Sequence, residues 1–460
     1  MSTIAVEEFA PLRGRVSGDV FTSGDPGWDE ARLAWNLAVD QQPAAVVIAD
    51  GADDIVETVR FARRMGYTVA GQGTGHGASS LERRLDGTIL VKTHRMRDVE
   101  IDPVGRWARA GAGALWMDVT EPAQEHGLAA LAGSSPDVGI VGYTLGGGLS
   151  WLSRTYGVAA NSVTAIEVVT ADGELVRTDA ETEPALFWAL RGGGGNFGIV
   201  TAIEFRLYPI AQVYAGTMFW PIERAPEVLR AWHELAPRMP EAMTTVGRLL
   251  MLPPIPDIPE PLRGRKFVVV EAIHLGDAGD GAALLQPLRD LQPEIDTTGV
   301  IPIGALSKLH MDPEHPVPGS GDGFLLDELP AEAIDALAAR AAAGELDTLL
   351  SVELRQLGGA VARRMPGSGA VGHFAASYAM FAVGIAPFPE AKLAVQGAIA
   401  QVKQLLGPYA ASSGYINFVE TATDTAELYP ATVHQRLREL KRWYDPADMF
   451  RSNHPIQPAA

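Results

Sequence analysis

Cysteine is absent from this chain of 460 residues. Its absence excludes disulfides, catalysis by a thiolate and metal sites built on thiolate ligands. The chain also has no H-x-x-x-H or H-E-x-x-H pattern, the histidine spacings that bind zinc from one face of a helix. We therefore expect no bound metal.

Long apolar runs and an excess of basic residues are missing as well. No run of 18 apolar residues occurs, and the formal net charge of −19 opposes binding to nucleic acid, which requires a basic surface. The segment Met1–Pro11 lacks the basic start and apolar core of a secretory signal. We expect a cytoplasmic protein that binds neither nucleic acid nor a membrane.

Glycine, by contrast, is concentrated in two stretches. In the first, a short strand from Tyr67 to Ala70 leads into a loop with glycine at every second position, namely Gly71, Gly73, Gly75 and Gly77. Without Cβ atoms, such a backbone reaches positive φ values and brings its N–H groups close to a bulky anionic ligand. The loop is predicted to hold a phosphate-bearing group.

His76 stands at the centre of this loop and has several interpretations. It could be a surface or hydrogen-bonded structural residue, which is the ordinary role of a single histidine. The loop also satisfies the G-x-G-x-x-A fingerprint of nicotinamide cofactors from Gly73 to Ala78, but that fingerprint opens a helix and here a charged turn follows. The interpretation that we favour is an imidazole nucleophile beside a bound cofactor.

The second glycine-rich stretch carries seven glycines between Gly133 and Gly157. A run this flexible has an entropic cost that close approach to a ligand would explain. A mobile surface loop is the alternative. The interspersed Ile140, Leu145 and Leu149 favour burial and therefore the first interpretation.

The length of the chain and its 47% apolar content predict two domains with substantial cores. From Pro43 the pattern is strand, helix, strand. Beyond Pro209 the glycine motifs become sparse, and strands alternate with helices, which indicates a second domain with a sheet covered by helices on one face. In the last fifty residues, Gly414–Phe418 is predicted to be a strand and 434–443 a charged helix.

Several motifs occur together in a specific order. They are a G-x-G-H loop at Gly73–His76, S-P-x-V-G-x-x-G-x-x-x-G-G-G at 135–148, R-x-x-G at 154–157, V-T-A-D-G at 169–173, L-F-W-A-L-R-G-G-G-G-N-F-G at 186–198, G-Y-I-N at 414–417 and K-x-x-Y-D-P-x-x-M-F-x-x-N at 441–453. In this order they resemble the berberine-bridge-enzyme-like branch of the vanillyl-alcohol-oxidase, or p-cresol-methylhydroxylase, flavoprotein family. The similarity covers nearly the whole chain and is strongest to the bacterial oxidases of that branch.

The resemblance implies an α+β fold. A two-subdomain FAD-binding domain of the p-cresol-methylhydroxylase type would span 1–210, and an α+β substrate domain with an antiparallel sheet covered by helices would span 211–410. The segment 411–460 would complete the FAD-binding domain. The sheet of the substrate domain would form the roof over the isoalloxazine ring.

The resemblance also implies how the flavin is held. In similar proteins the loop histidine is bonded to the 8α-methyl carbon of FAD, and the resemblance implies the same role for His76. Many relatives have a second link from a cysteine at the position of Ser135, and a hydroxyl cannot form that thioether, so any covalent attachment is expected through His76 alone. Val138 resembles the side chain that leaves room for dioxygen in oxidase members. The residues expected to contact FAD are His76, Gly71, Gln72, Gly73, Thr74, Gly75, Gly77, Ser134, Ser135, Val138, Gly139, Gly142, Tyr143, Gly146, Gly147, Gly148, Gly157, Gly198, Val200, Tyr415 and Asn417.

The reaction expected is hydride transfer from a carbon bearing OH or NH, proton removal by a general base, and reoxidation by dioxygen to hydrogen peroxide. Tyr415 is the predicted base, with a plain structural role as the alternative. Glu353, Gln356 and Tyr378 are further catalytic candidates on strands of the predicted roof. Glu353 and Gln356 are three residues apart, so they cannot share one face of a regular strand.

Other functions stay open at this point. They are a flavin dehydrogenase of the same fold using another electron acceptor, a tailoring oxidase of secondary metabolism, a nicotinamide-dependent reductase, and a flavin-binding protein without turnover. The expected partners are a small organic substrate and dioxygen, and the expected assembly is a monomer or homodimer. The identity of the substrate does not follow from the sequence.

Overall fold

A computed structural model describes residues 7–82 and 84–459. The strands are β1 (Asp19–Phe21), β2 (Ala45–Ile48), β3 (Thr68–Gln72), β4 (Thr88–Lys92), β5 (Val99–Asp102), β6 (Trp107–Gly111), β7 (Val163–Val169), β8 (Leu175–Asp179), β9 (Ile199–Arg206), β10 (Gln212–Pro221), β11 (Met243–Met251), β12 (Lys266–His274), β13 (Ile295–Asp296), β14 (Gly299–Pro302), β15 (Gly319–Leu326), β16 (Ser351–Gln356) and β17 (Tyr378–Ile385).

The helices of the described residues follow the same chain order. They are α1 (Ala10–Arg13), α2 (Trp28–Ala31), α3 (Ala52–Met65), α4 (Trp116–Glu125), α5 (Ile140–Leu145), α6 (Ser153–Tyr156), α7 (Pro184–Leu190), α8 (Ala225–Leu235), α9 (Ala278–Arg289), α10 (Ala331–Ala342), α11 (Pro389–Leu406) and α12 (Ala431–Tyr444). No helix in these ranges is long and apolar enough to cross a membrane.

The first sheet has the strand order β1-β2-β4-β3. Strands β2, β4 and β3 are parallel, and α3 supplies the crossover that a parallel connection requires. The predicted strand–helix–strand unit is therefore present. Its helix ends at Gly66, which has the left-handed φ of +81° that glycine adopts without strain.

The second sheet is antiparallel, with the strand order β5-β6-β9-β7-β8. One apolar core joins it to α4, α5 and α7 and to the second glycine-rich stretch. The first two sheets are thus built from residues 19–206, where both glycine stretches lie.

The third sheet begins at β10, directly after the point where the glycine motifs become sparse. Its main path is β13-β10-β12-β11-β16-β17-β15, and every pairing is antiparallel. Helices α8, α9, α10 and α11 pack their apolar residues against one face of it. This confirms the predicted α+β class with a helix-covered antiparallel sheet.

The C-terminal segment returns to the first sheet. Val69 of β3 pairs with Phe450, and the N–H of Arg451 donates to the carbonyl of Val69. One prediction for this segment is wrong, because Gly414–Phe418 forms a turn rather than a strand. The turn is closed by the N–H of Phe418 donating to the carbonyl of Tyr415, and it directs the Tyr415 side chain back towards the second glycine stretch.

Candidate functional site

The first glycine loop follows β3 directly. Gly75 has φ +93°, and a Cβ atom there would lie only 2.9 Å from the Cβ of Ala34. Glycine is therefore required at this position by both conformation and packing. Among the four alternating glycines, Gly75 alone has the expected positive φ.

His76 lies where the first glycine loop meets the second glycine stretch. The indole ring of Trp35 stacks on its imidazole, with centroids 3.9 Å apart and planes 25° apart. The Nε2 atom faces Asp137, 3.3 Å from the backbone carbonyl oxygen and 3.5 Å from Oδ1. About one-fifth of the imidazole side chain is exposed, so the ring is held on two sides and open to a ligand elsewhere.

Asp137 is buried and accepts hydrogen bonds from three directions. Its Oδ2 accepts from Nε1 of Trp35 at 2.5 Å, and its Oδ1 accepts from Oγ of Ser135 at 2.9 Å and faces His76. Burial raises the pKa of Asp137, but the interactions with His76, Ser135 and Trp35 outweigh burial and bring its pKa below the ordinary value. The carboxylate is therefore stabilised in its charged form beside His76.

The second glycine stretch is ordered and packed rather than a mobile surface loop. Ile140, Leu145 and Leu149 are buried in the core, as their apolar side chains predict. A Cβ atom on Gly146 would lie 1.8 Å from Oδ1 of Asn417, so glycine is needed there for contact with the C-terminal turn. Part of the glycine content thus serves packing within the protein.

Tyr415 connects the C-terminal turn to this stretch. Its Oη accepts hydrogen bonds from the N–H of Leu149 and from Nδ2 of Asn417, each at 3.0 Å. Burial raises the pKa of the phenol to about 12, although the two hydrogen bonds and the charge of Arg355 act in the opposite direction. The donors that converge on Oη are those that stabilise a phenolate.

A largely buried set of charged side chains from the third sheet and from a loop lies near the second glycine stretch. We call Arg248, Glu271, His310, Glu353 and Arg355 the roof cluster. His310 bridges its two carboxylates, with Nδ1 2.7 Å from Glu271 and Nε2 2.9 Å from Glu353. Arg355 holds both oxygens of Glu353, at 2.9 and 3.2 Å.

The electrostatics of the roof cluster follow from these pairs. Burial raises the pKa of Glu353, but Arg355 and His310 outweigh it and hold that pKa far below the usual range. Burial and Arg248 lower the pKa of His310, but the surrounding carboxylates overcome both and raise it to about 9. The described residues contain no group of three or more His, Asp or Glu side chains arranged to hold a metal ion.

Arg355 joins the roof cluster to the second glycine stretch. Its Nη2 donates to Oγ of Ser134 at 3.1 Å, and its guanidinium carbon lies 5.4 Å from the ring centroid of Phe418 and 5.6 Å from that of Trp151. Both distances are within the range of cation–π contacts. A cation is thus fixed between the roof, the glycine stretch and the turn that carries Tyr415.

The structure does not bring all the predicted catalytic residues together. Glu353 lies in the roof cluster, but Gln356 accepts a hydrogen bond from Thr245 at 2.9 Å on the opposite, helix-covered face of the sheet. Tyr378 is on that face too, with its ring 5.8 Å from that of Trp232. The period of two along β16 separates Glu353 from Gln356 as the sequence predicts. The geometry does not favour Gln356 or Tyr378 as catalytic groups.

The predicted cofactor contacts also differ in burial. Around the meeting point of the loops, one group is half-buried, namely Gly73, Thr74, Gly75, His76, Ser134, Ser135, Val138, Tyr143 and Asn417. Other residues serve packing. Gln72 is buried and donates to Gln41 at 2.8 Å, and a Cβ atom on Gly198 would lie 2.4 Å from Val168. Val200 and Gly157 are buried.

Sequence reasoning missed Asp137, His310 and Arg355. Arg355 could have been found, because it is two residues from Glu353 and so shares its face of β16. His310 lies in a loop, and its partner Glu271 is 39 residues away in the sequence. No local pattern indicates that contact.

Comparisons with known proteins agree with this geometry. Residues 43–179 match the FAD binding domain family. Over 96% of its length the chain is 28% identical to (R)-6-hydroxynicotine oxidase of Paenarthrobacter nicotinovorans, of which it covers 97%. The crystal structure of 6-hydroxy-D-nicotine oxidase from Arthrobacter nicotinovorans matches with a TM-score of 0.80 and 25% identity, covering 98% of this chain and 99% of that one. Berberine-bridge-enzyme-like 1 of Physcomitrella patens matches in fold, with a TM-score of 0.84, 19% identity and 99% coverage of both chains.

The residues at the site fit an FAD molecule. Gly142 of α5 is exposed within this otherwise packed stretch, and a Cβ atom there would meet no heavy atom within 4 Å, so bare backbone is offered to a ligand. The hydroxyl of Thr144, which is buried on the other side of α5, also has no hydrogen-bond partner among the described residues. From the domain match, the whole-length similarity and this geometry, we conclude that the chain is an FAD-linked oxidoreductase with an FAD-binding domain at residues 43–179 and a fold similar to that of the berberine-bridge-enzyme-like proteins.

Proposed function

We propose that the protein is an oxidase that takes a hydride from a C–OH or C–NH carbon of a small organic substrate and passes the electrons to dioxygen, forming hydrogen peroxide. FAD, covalently attached through His76, would supply the hydride acceptor. The observation that carries this proposal is the convergence of Tyr415, Arg355 and the second glycine stretch at one place, through the contacts of Oη with Leu149 and of Arg355 with Ser134.

Tyr415 is the proposed general base. To take the proton of a substrate hydroxyl or amine it must first be a phenolate, and two hydrogen-bond donors on Oη favour that form. Burial raises the pKa of Tyr415 to about 12, and the positive charge of Arg355 acts against burial together with these two hydrogen bonds. A second tyrosine does not assist it from the neighbouring position, because Phe418 packs there with its ring 4.9 Å from that of Tyr415.

The roof cluster is proposed to position the substrate rather than to accept its proton. Glu353 is already paired with Arg355 and His310 at hydrogen-bond distances and has a strongly lowered pKa. A carboxylate held in this way is a weak base. Its proposed role is to hold Arg355 in place. The Nη2 atom of Arg355 also donates to Ser134 in the glycine stretch.

Support for an amine donor comes from the relative named 6-hydroxynicotine oxidase, which aligns over almost the whole chain. Support for dioxygen as the acceptor is the half-buried Val138 in the second glycine stretch, beside the residues that would hold the ring. A dehydrogenase of the same fold, or a tailoring oxidase of secondary metabolism, would use the same residues with another acceptor or a larger substrate.

The test is anaerobic mixing of the purified protein with a panel of amines that includes 6-hydroxynicotine, and with alcohols and sugars. An oxidase bleaches its visible flavin absorbance with one of these donors, recovers the colour in air and releases one hydrogen peroxide per substrate. Bleaching that persists in air indicates a dehydrogenase, and no bleaching with any donor indicates a binding protein without turnover. A colourless protein would contradict the proposal outright.

A further inference from the structure

We propose that Asp137 is the positioning residue for covalent flavin attachment and that it directs the bond to Nδ1 of His76. This inference rests on the proposed function, since it concerns how the histidine is prepared for that bond. It begins with the two oxygens of Asp137 that face Nε2, the backbone carbonyl at 3.3 Å and Oδ1 at 3.5 Å.

Both oxygens are hydrogen-bond acceptors, so the imidazole nitrogen that faces them carries the hydrogen. In a neutral imidazole the other nitrogen then has the free lone pair. The carboxylate therefore selects the tautomer with Nε2–H and leaves Nδ1 as the nucleophile. Trp35 fixes the ring plane by stacking, and the same carboxylate fixes Trp35 through its indole N–H at 2.5 Å.

The charge of Asp137 supplies the second argument. The carboxylate is 6% exposed, and within the described ranges its only ion-pair partner is His76, since no lysine or arginine reaches it. A buried carboxylate without a cation is costly, and an imidazolium would relieve that cost. Asp137 thus stabilises a positively charged His76 more than a neutral one.

Covalent attachment generates that positive charge. The Nδ1 lone pair forms a bond to the 8α carbon, one C–H bond of the methyl group breaks, and its proton leaves to water. The two electrons of that C–H bond enter the flavin ring and are then accepted by dioxygen. The imidazole becomes cationic while Nε2–H stays directed at Asp137, so the carboxylate stabilises the product and the charge that develops on the way to it.

The experiment uses the full chain made in riboflavin-starved cells and then incubated with FAD in air. Total bound flavin is measured after gel filtration, and covalent flavin is measured in the acid precipitate and by intact mass. Asp137→Asn and Asp137→Ala are expected to bind FAD but to form the covalent adduct about ten- to a hundredfold more slowly than the parent, by analogy with the loss of a carboxylate that orients a metal-binding histidine. Asp137→Glu is expected to recover part of that rate.

The matched control is Asp312→Asn, which removes a carboxylate that accepts from Ser134 at 3.0 Å and does not contact His76. It is expected to form the adduct at the parent rate. A structural role for Asp137 would lower total flavin binding, whereas a positioning role lowers the covalent fraction of the flavin that is bound. An Asp137→Asn rate within twofold of the parent would overturn the inference.

A second measurement needs no variant. In the flavin peptide from the parent, attachment at Nδ1 places the 8α-methylene beside the histidine β-methylene, and NMR is expected to show a nuclear Overhauser effect between them. If the 8α-methylene instead contacted the ring hydrogens on both sides of Nε2, the bond would be at Nε2. That result would contradict the inference and leave the proposed function unaffected. A parent that turns over without any covalent flavin would contradict the covalent attachment itself.

Discussion

The two glycine stretches and the roof cluster meet at the candidate site, but they are stabilised in opposite ways. The glycine stretches rely on close backbone packing, such as Gly75 against Ala34, and among the described residues they contain one ion pair, between His76 and Asp137. The roof cluster consists of five ionisable side chains, of which four are buried and the fifth, Arg355, is 14% exposed. One region is closely packed backbone, and the other is a set of paired charges.

Function and stability are therefore coupled differently in the two regions. Apart from Arg154, whose buried guanidinium donates to the carbonyl of Met243 on β11, side chains of the glycine stretches should be replaceable with mainly local effects. In the roof cluster each charge compensates another, so the loss of one leaves its partner buried and unpaired. Tyr415 lies between the two regions and depends on both, through Leu149 and Arg355.

The largest effect is expected at that junction. Tyr415→Phe should leave the flavin spectrum intact and lower the rate of flavin reduction by substrate about a hundredfold or more, the cost of losing a positioned general base. The measurement is anaerobic stopped-flow absorbance. Tyr429→Phe is the matched control, because Tyr429 is also buried but its hydroxyl donates to the carbonyl of Gly192 at 2.9 Å, away from the site. It should cost about 1 kcal/mol of stability and leave the rate unchanged. Full-speed reduction in Tyr415→Phe would remove Tyr415 from the mechanism.

The next largest effect compares a buried with an exposed ion pair. Arg355→Ala leaves Glu353 buried without its bidentate partner and should lower the free energy of unfolding by about 3–5 kcal/mol. Arg265 also binds both oxygens of a carboxylate, Glu294, at 2.8 and 2.6 Å, but that pair is about 40% exposed. Arg265→Ala should cost less than about 1 kcal/mol. Urea unfolding of both variants measures the two losses in the free energy of unfolding. Equal losses would show that burial does not determine how much the Arg355–Glu353 pair contributes to stability.

A pH effect is expected from His310. Burial and Arg248 lower its pKa, but the carboxylates around it raise the pKa from 6.5 to about 9 in the folded protein. The folded state therefore binds the proton more tightly, and this stabilisation is complete below about pH 6.5 and is lost as the pH rises through about 9. Urea unfolding measures how much more stable the parent is than His310→Gln. This difference should be about 1–3 kcal/mol smaller near pH 10 than near pH 6. A difference that is constant over this range would mean that His310 does not hold its proton in the fold.

The same contrast explains what could be predicted from the sequence. The strand before the first glycine loop and the burial of the second stretch were predicted correctly, because the residues that indicate them are contiguous. One strand leads into one loop with His76 at its centre, and the apolar residues of the second stretch indicated its burial. The helix-covered third sheet was predicted as well, since the periodicity of strands and amphipathic helices is local.

The roof cluster could not be predicted, because its members lie on β11, β12 and β16 and in a loop, and only the folded sheet brings them together. The location of Tyr415 was predicted with the wrong local structure. A strand would point successive side chains to alternate faces, whereas the observed turn lets Tyr415 and Asn417 converge, with Oη of Tyr415 3.0 Å from Nδ2 of Asn417. Asp137 was missed because it is 61 residues from His76 in the sequence, and only the folded chain brings the two glycine stretches together.

The smallest effect is expected within the glycine stretches themselves. Gly142 presents an open face, so in the FAD-free protein Gly142→Ala should raise stability slightly, by up to about 1 kcal/mol, because alanine favours the helical backbone of α5. The added methyl group occupies the bare backbone that is offered to FAD, and we expect binding about tenfold weaker, or ~1.4 kcal/mol. The titration is made in a His76→Ala background, so that FAD remains exchangeable, and flavin fluorescence reports the Kd. Gly146→Ala is the control, since its methyl group would collide with Asn417 and should lower stability by about 1–3 kcal/mol even without FAD. If Gly142→Ala bound FAD as well as its parent, the open face of α5 would not be where the ligand lies, and the glycine there would serve the fold alone.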